Sequence, residues 1–440
     1  MATTAEKTGT APERVVSAPV RSLSRRWRLR GPRTGVLGFL AALGPALITT
    51  NAGNDAGGIA TYSVAGARYG FELLWLLPVI TVSLIVVQEA CARMGIVTQR
   101  GLAELIRERF GVRWVTLAML TFVIASVGTT AAEFAGIAAA GELFGLSRFV
   151  TVPLCCAFVF YLVVGGTYRL VEKVFTAMTV VFLGYIATAF LTTPDWRPVL
   201  RAAVVPTIRL EAGFLFMAIT LVGTTVTSYM QFFLQSSIVE KGVMERELGF
   251  TRGDVLVSSI FADLIAFFIV VTTAQTLYPA GIEIQTAADA AKALEPLAGR
   301  YAEVLFATGL VGASLLGATV LPLSTAYLVT EAYGWERGMS RTLREAPIFM
   351  GLYTGVLILG ALIVIVPGMP LLSLMLVSQF IDGVQLPVIL VFIVLLVGSR
   401  SLMGRHTSGR ALQAIQWATA IVLGVMNVAL LVMAAAGVGE

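Results

Sequence analysis

The chain has 440 residues, 57% of them hydrophobic and only 13% charged, with a mean hydropathy of +0.86. Soluble domains carry about 25% charged residues, so the composition excludes a soluble globular protein and leaves room for many membrane spans of about 20 residues each. Long unbroken apolar runs exclude a transmembrane β-barrel as well, because a barrel alternates over short segments.

Residues 1–35 are polar and basic and lack the apolar core of a signal peptide; they read as a disordered cytoplasmic arm. Eleven apolar segments follow, at about 36–68, 72–94, 114–143, 149–166, 171–192, 212–237, 254–279, 302–331, 347–366, 371–398 and 411–436. They divide into a first block of five spans (36–200), a second block of five (201–400), and a last span with the C-terminus (401–440). With the N-terminus placed in the cytoplasm, 24 of the 31 Lys and Arg residues fall on the cytoplasmic side and 7 on the other. That asymmetry follows the positive-inside rule and sends Glu440 outside. The net charge of +5 is then a topology signal. A nucleic-acid partner would need basic residues gathered on one folded face, and here they are spread over loops. Cys91, Cys155 and Cys156 lie in or beside apolar runs, with neither disulfide-framework nor metal-knuckle spacing. His406, the only histidine, falls in a polar loop, which argues against haem, zinc and most histidine-based proton chemistry in the membrane.

An ionisable side chain at the bilayer centre costs roughly 2.5–3.5 kcal/mol on insertion scales and usually marks function. Asp55, Glu133, Asp263 and Asp382 are such residues, with Glu89 and Glu142 nearer span ends. They form either a cation pathway or a set of protonated, hydrogen-bonded carboxyls. Asp55 stands apart because Thr49-Thr50-Asn51-Ala52-Gly53-Asn54-Asp55-Ala56-Gly57-Gly58 makes a poor helix in the middle of the first span. Irregular backbone at membrane depth is tolerated where it is buried or lines a watery cavity. A helix end with free carbonyls beside one carboxylate is a cation site. The sixth span carries a second anomaly, Gly223-Thr224-Thr225-Val226-Thr227-Ser228-Tyr229-Met230-Gln231, whose hydroxyls compete with backbone hydrogen bonds and favour unwinding. Interruptions in spans one and six are where a five-plus-five inverted repeat places its discontinuous helices, with the substrate between them at the midplane.

These residues resemble the Nramp family of divalent-metal transporters. Gly44-Pro45-Ala46-Leu47 followed by Asn54-Asp55-Ala56-Gly57-Gly58 is similar to the family's first-helix stretch, Ala92-Arg93-Met94-Gly95-Ile96-Val97-Thr98 to the segment after helix two, Ala132-Glu133-Phe134 to helix three, and Ser378-Gln379 with Gln385-Leu386-Pro387 to helix ten. The resemblance implies an all-α polytopic membrane protein with a LeuT-like fold, two inverted five-helix repeats plus an eleventh helix. It also implies metal-site positions at Asp55, Gly58, Thr224, Thr227 and Gln379, and a pathway or former proton route at Glu133, Thr130, Tyr229 and Asp382, the last without a family counterpart.

The departures are informative. Asp55 is kept, but the family's ligating Asn is Gly58, its Met-Pro-His is Thr227-Ser228-Tyr229, its carbonyl-donating Ala is Thr224 and its second helix-three acid is Thr130. Thioethers favour softer metals, whereas carboxylate, carbonyl, hydroxyl and water suit Mg²⁺ and Ca²⁺. Mg²⁺ also keeps several of its waters. The pattern is similar to the Nramp-related magnesium transporters and implies uptake of largely hydrated Mg²⁺, without cofactor and without proton coupling, since a tyrosine stands where the family has histidine. The alternatives are a proton-coupled Mn²⁺ or Fe²⁺ importer of the main Nramp type, and a LeuT-like amino-acid carrier, which the acidic core disfavours. No nucleophile–base pair, phosphate loop or cofactor motif supports an enzyme. The expected partners are the ion and the lipid bilayer of the cell membrane; sequence is silent on oligomeric state.

Overall fold

The computed structural model describes residues 54–164, 180–192, 195–336 and 344–435, and these are helical with short connections and no strand. The basic arm, the first half of span one and the start of span five lie outside the described residues, which all belong to one unit, Ala41–Glu440. The main helices are α1 (Ala56–Tyr69), α2 (Leu76–Thr98), α3 (Leu102–Phe110), α4 (Val112–Leu143), α5 (Arg148–Val164), α6 (Leu183–Thr192) and α7 (Arg197–Val204). They continue as α8 (Ala212–Thr225), α9 (Ser228–Lys241), α10 (Leu248–Thr276), α11 (Ala302–Tyr333), α12 (Pro347–Ile365), α13 (Leu371–Val397) and α14 (Arg410–Ala435). Counting α8 and α9 as one interrupted span, eight of the described segments are long and apolar enough to cross a membrane. The shorter α5 and α6, with α1 as the second part of span one, complete the expected order of spans.

Outward-facing Leu154, Ile358 and Val428 are exposed on α5, α12 and α14, where an aqueous surface would carry polar groups. Backbone groups in lipid must be satisfied within the segment, and helices achieve this. The connections follow local rules. α2 ends at Gln99, a non-glycine residue at φ 52°; its side chain repays the strain by donating to the carbonyls of Ile96 and Val243, both at 2.9 Å. Glycine at φ 63° does the same work at Gly242, after α9.

α4 is the hub of one group of helices, with α11, α12 and α13 packed against it. α10 lies against both α1 and α2, and α9 also rests on α2. α8 packs on α13, and there the two backbones nearly touch: a Cβ on Gly383 would fall 2.8 Å from Ile219 Cγ2, and one on Gly223 would sit 2.8 Å from Gly383 Cα. Arg93, at the end of the second apolar run, is drawn into the bundle. It lies inside α2, 2% exposed, paired with Glu89 at 3.0 Å and donating to Ser408 Oγ at 2.8 Å and to the His406 carbonyl. The i, i+4 spacing of Glu89 and Arg93 places the pair on one face of α2. The three cysteines are free thiols.

Candidate functional site

Asp55 occupies the N-cap of α1 with extended backbone (φ −73°, ψ 178°), and its Oδ1 accepts from the Gly58 N–H at 2.6 Å. Aspartate is among the best N-cap residues because it satisfies an orphan amide and faces the positive end of the helix dipole. Gly58 thus enters the site through its amide, holding Asp55. Across the gap, Gln379 of α13 donates from Nε2 to both Asp55 oxygens, at 3.3 and 3.4 Å. Gly57 makes that approach possible, because a Cβ there would overlap the Gln379 side chain. Glu133 of α4 accepts from the Ala56 N–H at 3.4 Å and lies flush against Gly317 of α11. Asp55 is 2% exposed, and Glu133 and Gln379 are fully buried.

The sixth span breaks as its hydroxyl-rich sequence indicates. α8 stops at Thr225, Val226 takes φ −109° and ψ 59°, and α9 begins at Ser228. The Val226 N–H still closes on the Val222 carbonyl at 2.9 Å; the carbonyls of the last turn beyond it run past the in-helix donors. Thr227 stands at the N-cap of α9, yet its hydroxyl makes no cap hydrogen bond. The hydroxyls of Thr224, Thr227 and Ser228 are buried without a well-formed hydrogen bond, apart from the approach of Thr224 to Tyr62 and of Thr227 to Tyr229. Tyr62 of α1 pins the break, its hydroxyl 2.9 Å from Thr225 Oγ1.

Most of the expected residues therefore meet. Asp55, Glu133, Gln379, Thr224, Thr227 and Tyr229 converge from five helices, and Asp382 sits one turn beyond Gln379 on α13. The Tyr229 phenol is within electrostatic reach of Asp55, Glu133 and Asp382 together. Thr130 is turned elsewhere: its hydroxyl donates to Ser126 O of its own helix at 2.7 Å, and its methyl lies under Gly360 of α12. Met230 is drawn toward α2, where Gln88 Nε2 lies 3.9 Å from its sulfur. Among the described residues no group of three or more His, Cys, Asp or Glu side chains forms a metal cluster. The polar groups gathered around Asp55 are carboxylates, hydroxyls and the Gln379 amide. Sequence reading missed Tyr62 and the glycine contacts.

The family model described as natural resistance-associated macrophage protein-like matches residues 46–433. The chain belongs to the Nramp family. It is 30% identical over 412 residues to the protein named divalent metal cation transporter MntH from Deinococcus radiodurans, covering 90% of each chain. The Eremococcus coleocola manganese transporter superposes with a TM-score of 0.74 at 20% identity, over 91% of this Nramp chain and 87% of that one. MhsT, solved with L-phenylalanine, superposes with a TM-score of 0.57 at 17% identity, over 89% and 97% of the two chains. These likenesses establish a multi-pass membrane protein with the LeuT-like fold of two inverted five-helix repeats and an eleventh helix.

Proposed function

We propose that the protein is a secondary transporter of divalent metal cations that carries Mg²⁺, largely hydrated, into the cell down its electrochemical gradient and without proton coupling. The observation that carries this reading is the donor set of the gap. Asp55, the Thr224 and Thr227 hydroxyls and Gln379 offer hard oxygen, while the thioether of Met230 is engaged with Gln88. Hard oxygen suits Mg²⁺, and an ion that sheds water reluctantly is well served by hydroxyls that accept from or donate to its shell.

Proton independence is supported by two placements. Tyr229 stands where the family resemblance puts a histidine, and an unperturbed phenol titrates near 10, far from working pH. Thr130 stands in place of an acid and is satisfied within α4. The membrane potential suffices as the driving force: about 2.3 kcal/mol per charge per 100 mV gives about 4.6 kcal/mol for a divalent ion, over a thousandfold in concentration. The distribution of basic residues supports a cytoplasmic N-terminus and an extracytoplasmic C-terminus. The likeness to the Deinococcus radiodurans divalent metal cation transporter supports divalent-metal transport in general. The Eremococcus coleocola protein's description as a manganese transporter favours a second reading, a proton-coupled Mn²⁺ importer.

Proteoliposomes holding a pH-sensitive dye and a Mg²⁺ indicator separate the two. We expect potential-driven Mg²⁺ entry with no accompanying acidification and only weak competition from Mn²⁺. Stoichiometric acidification, or block of Mg²⁺ entry by micromolar Mn²⁺, would overturn the proposal in favour of the second reading.

A further inference from the structure

Asp382 is a buried acid of α13, 4% exposed, with Oδ2 lacking any hydrogen-bond partner. It follows Gln379 by three residues, so both side chains lie on one face of the helix, about 5–6 Å apart at Cβ. That face is the one turned to the gap, because Gln379 donates to Asp55. Asp382 interacts electrostatically with Asp55 and with the Tyr229 phenol. Among the described residues no ion pair of a Lys or Arg reaches it. The helix that carries it has little freedom to move it away: the close crossing of Gly223 and Gly383 fixes α13 against α8 beside the break.

We propose that Asp382 is the outer-sphere acid of the ion site: it accepts hydrogen bonds from the water shell of the divalent cation while Asp55 holds the ion from the opposite side. This rests on the hydrated-cation reading given above. A buried carboxylate one turn along from Gln379, with an oxygen lacking a protein partner, can accept from a water of the shell, and bonds between water and a charged acceptor are among the stronger ones. The role separates two classes of cargo. An ion that enters with its waters meets both acids, whereas an ion stripped of water meets Asp55 and leaves Asp382 behind. Asp382 therefore acts as a specificity residue for hydrated ions.

The test uses the full chain in proteoliposomes, with hexaamminecobalt(III) as the probe, because its ammine shell does not exchange and can be recognised only from outside. Wild type, Asp382→Asn and Asp382→Glu are compared for Mg²⁺ uptake and for block by this complex. In Asp382→Asn we expect the KM for Mg²⁺ to rise and the block to weaken, each by about tenfold, the loss of one charge-assisted hydrogen bond, with Asp382→Glu recovering most of both. Unchanged block and unchanged KM in Asp382→Asn, beside intact wild-type transport, would overturn the role of Asp382 alone. Loss of folded protein in Asp382→Asn with full recovery of folding but not of block in Asp382→Glu would also overturn it, assigning the residue to structure. Wild-type protein that moves no Mg²⁺, or that ignores the complex, would overturn the hydrated-cation reading itself.

Discussion

Gln379 donates to both carboxylate oxygens of Asp55, across the gap between α13 and the start of α1. The same carboxylate caps α1 through Gly58, so charge and cap are separable by mutation. Asp55→Asn keeps an excellent N-cap and removes the charge. The expected result is a melting temperature close to wild type with Mg²⁺ uptake abolished. Asp55→Ala should lose uptake and also about 1 kcal/mol of stability, read as a lower melting temperature in detergent.

Thr227→Met restores a thioether at the N-cap of α9, beside the break. Soft ligands favour softer metals, so Cd²⁺ should inhibit Mg²⁺ uptake at about tenfold lower concentration than in wild type, equivalent to about 1.4 kcal/mol. Equal Cd²⁺ sensitivity in the two proteins would remove Thr227 from the ion's surroundings.

Gly223→Ala places a methyl group against the backbone of α13 at Gln379 and Gly383. Backbone cannot yield as a flexible side chain does, and overpacking of this kind costs about 1–3 kcal/mol. Thermal unfolding of the purified protein measures it, and Gly351→Ala, at a helix position open on its Cβ side, is the control, expected to keep stability or raise it by up to about 1 kcal/mol.

Glu89→Gln leaves the buried Arg93 guanidinium without its carboxylate, although the Ser408 and His406 acceptors remain. Breaking a buried pair from one side costs about 3 kcal/mol. Removing the exposed partner of Arg405 and His406 by Glu245→Gln should leave the melting temperature unmoved, since exposed pairs contribute little.

The fold was legible because each span is an apolar run and each interruption is written in residues that resist helix. The break at Val226–Thr227 falls inside the hydroxyl-rich stretch, and Asp55 lies at the helix boundary that its Gly- and Asn-rich neighbours indicate. Placement across the bundle was less legible. Thr130 and Glu133 are three residues apart, yet the Thr130 hydroxyl turns back to Ser126 of its own helix while Glu133 reaches Ala56 of another, a difference set by side-chain length and by the neighbour each one meets. Met230 adjoins the break but is drawn to Gln88, a contact 142 residues distant in the chain that no local pattern encodes. The burial of Arg93 was not legible because its guanidinium depends on acceptors at His406 and Ser408, more than 300 residues on in the chain.

The cap on Asp55 bears on what happens after cargo leaves. A carrier that has delivered its ion returns with a bare carboxylate, and an uncompensated anion at that depth would stall the return step. Here the Gly58 amide, the Gln379 side chain and the dipole of α1 surround the Asp55 oxygens. If transport is uncoupled, as proposed above, these neutral donors are what would stabilise the vacated carboxylate, with no second ion needed to ride back with the empty protein.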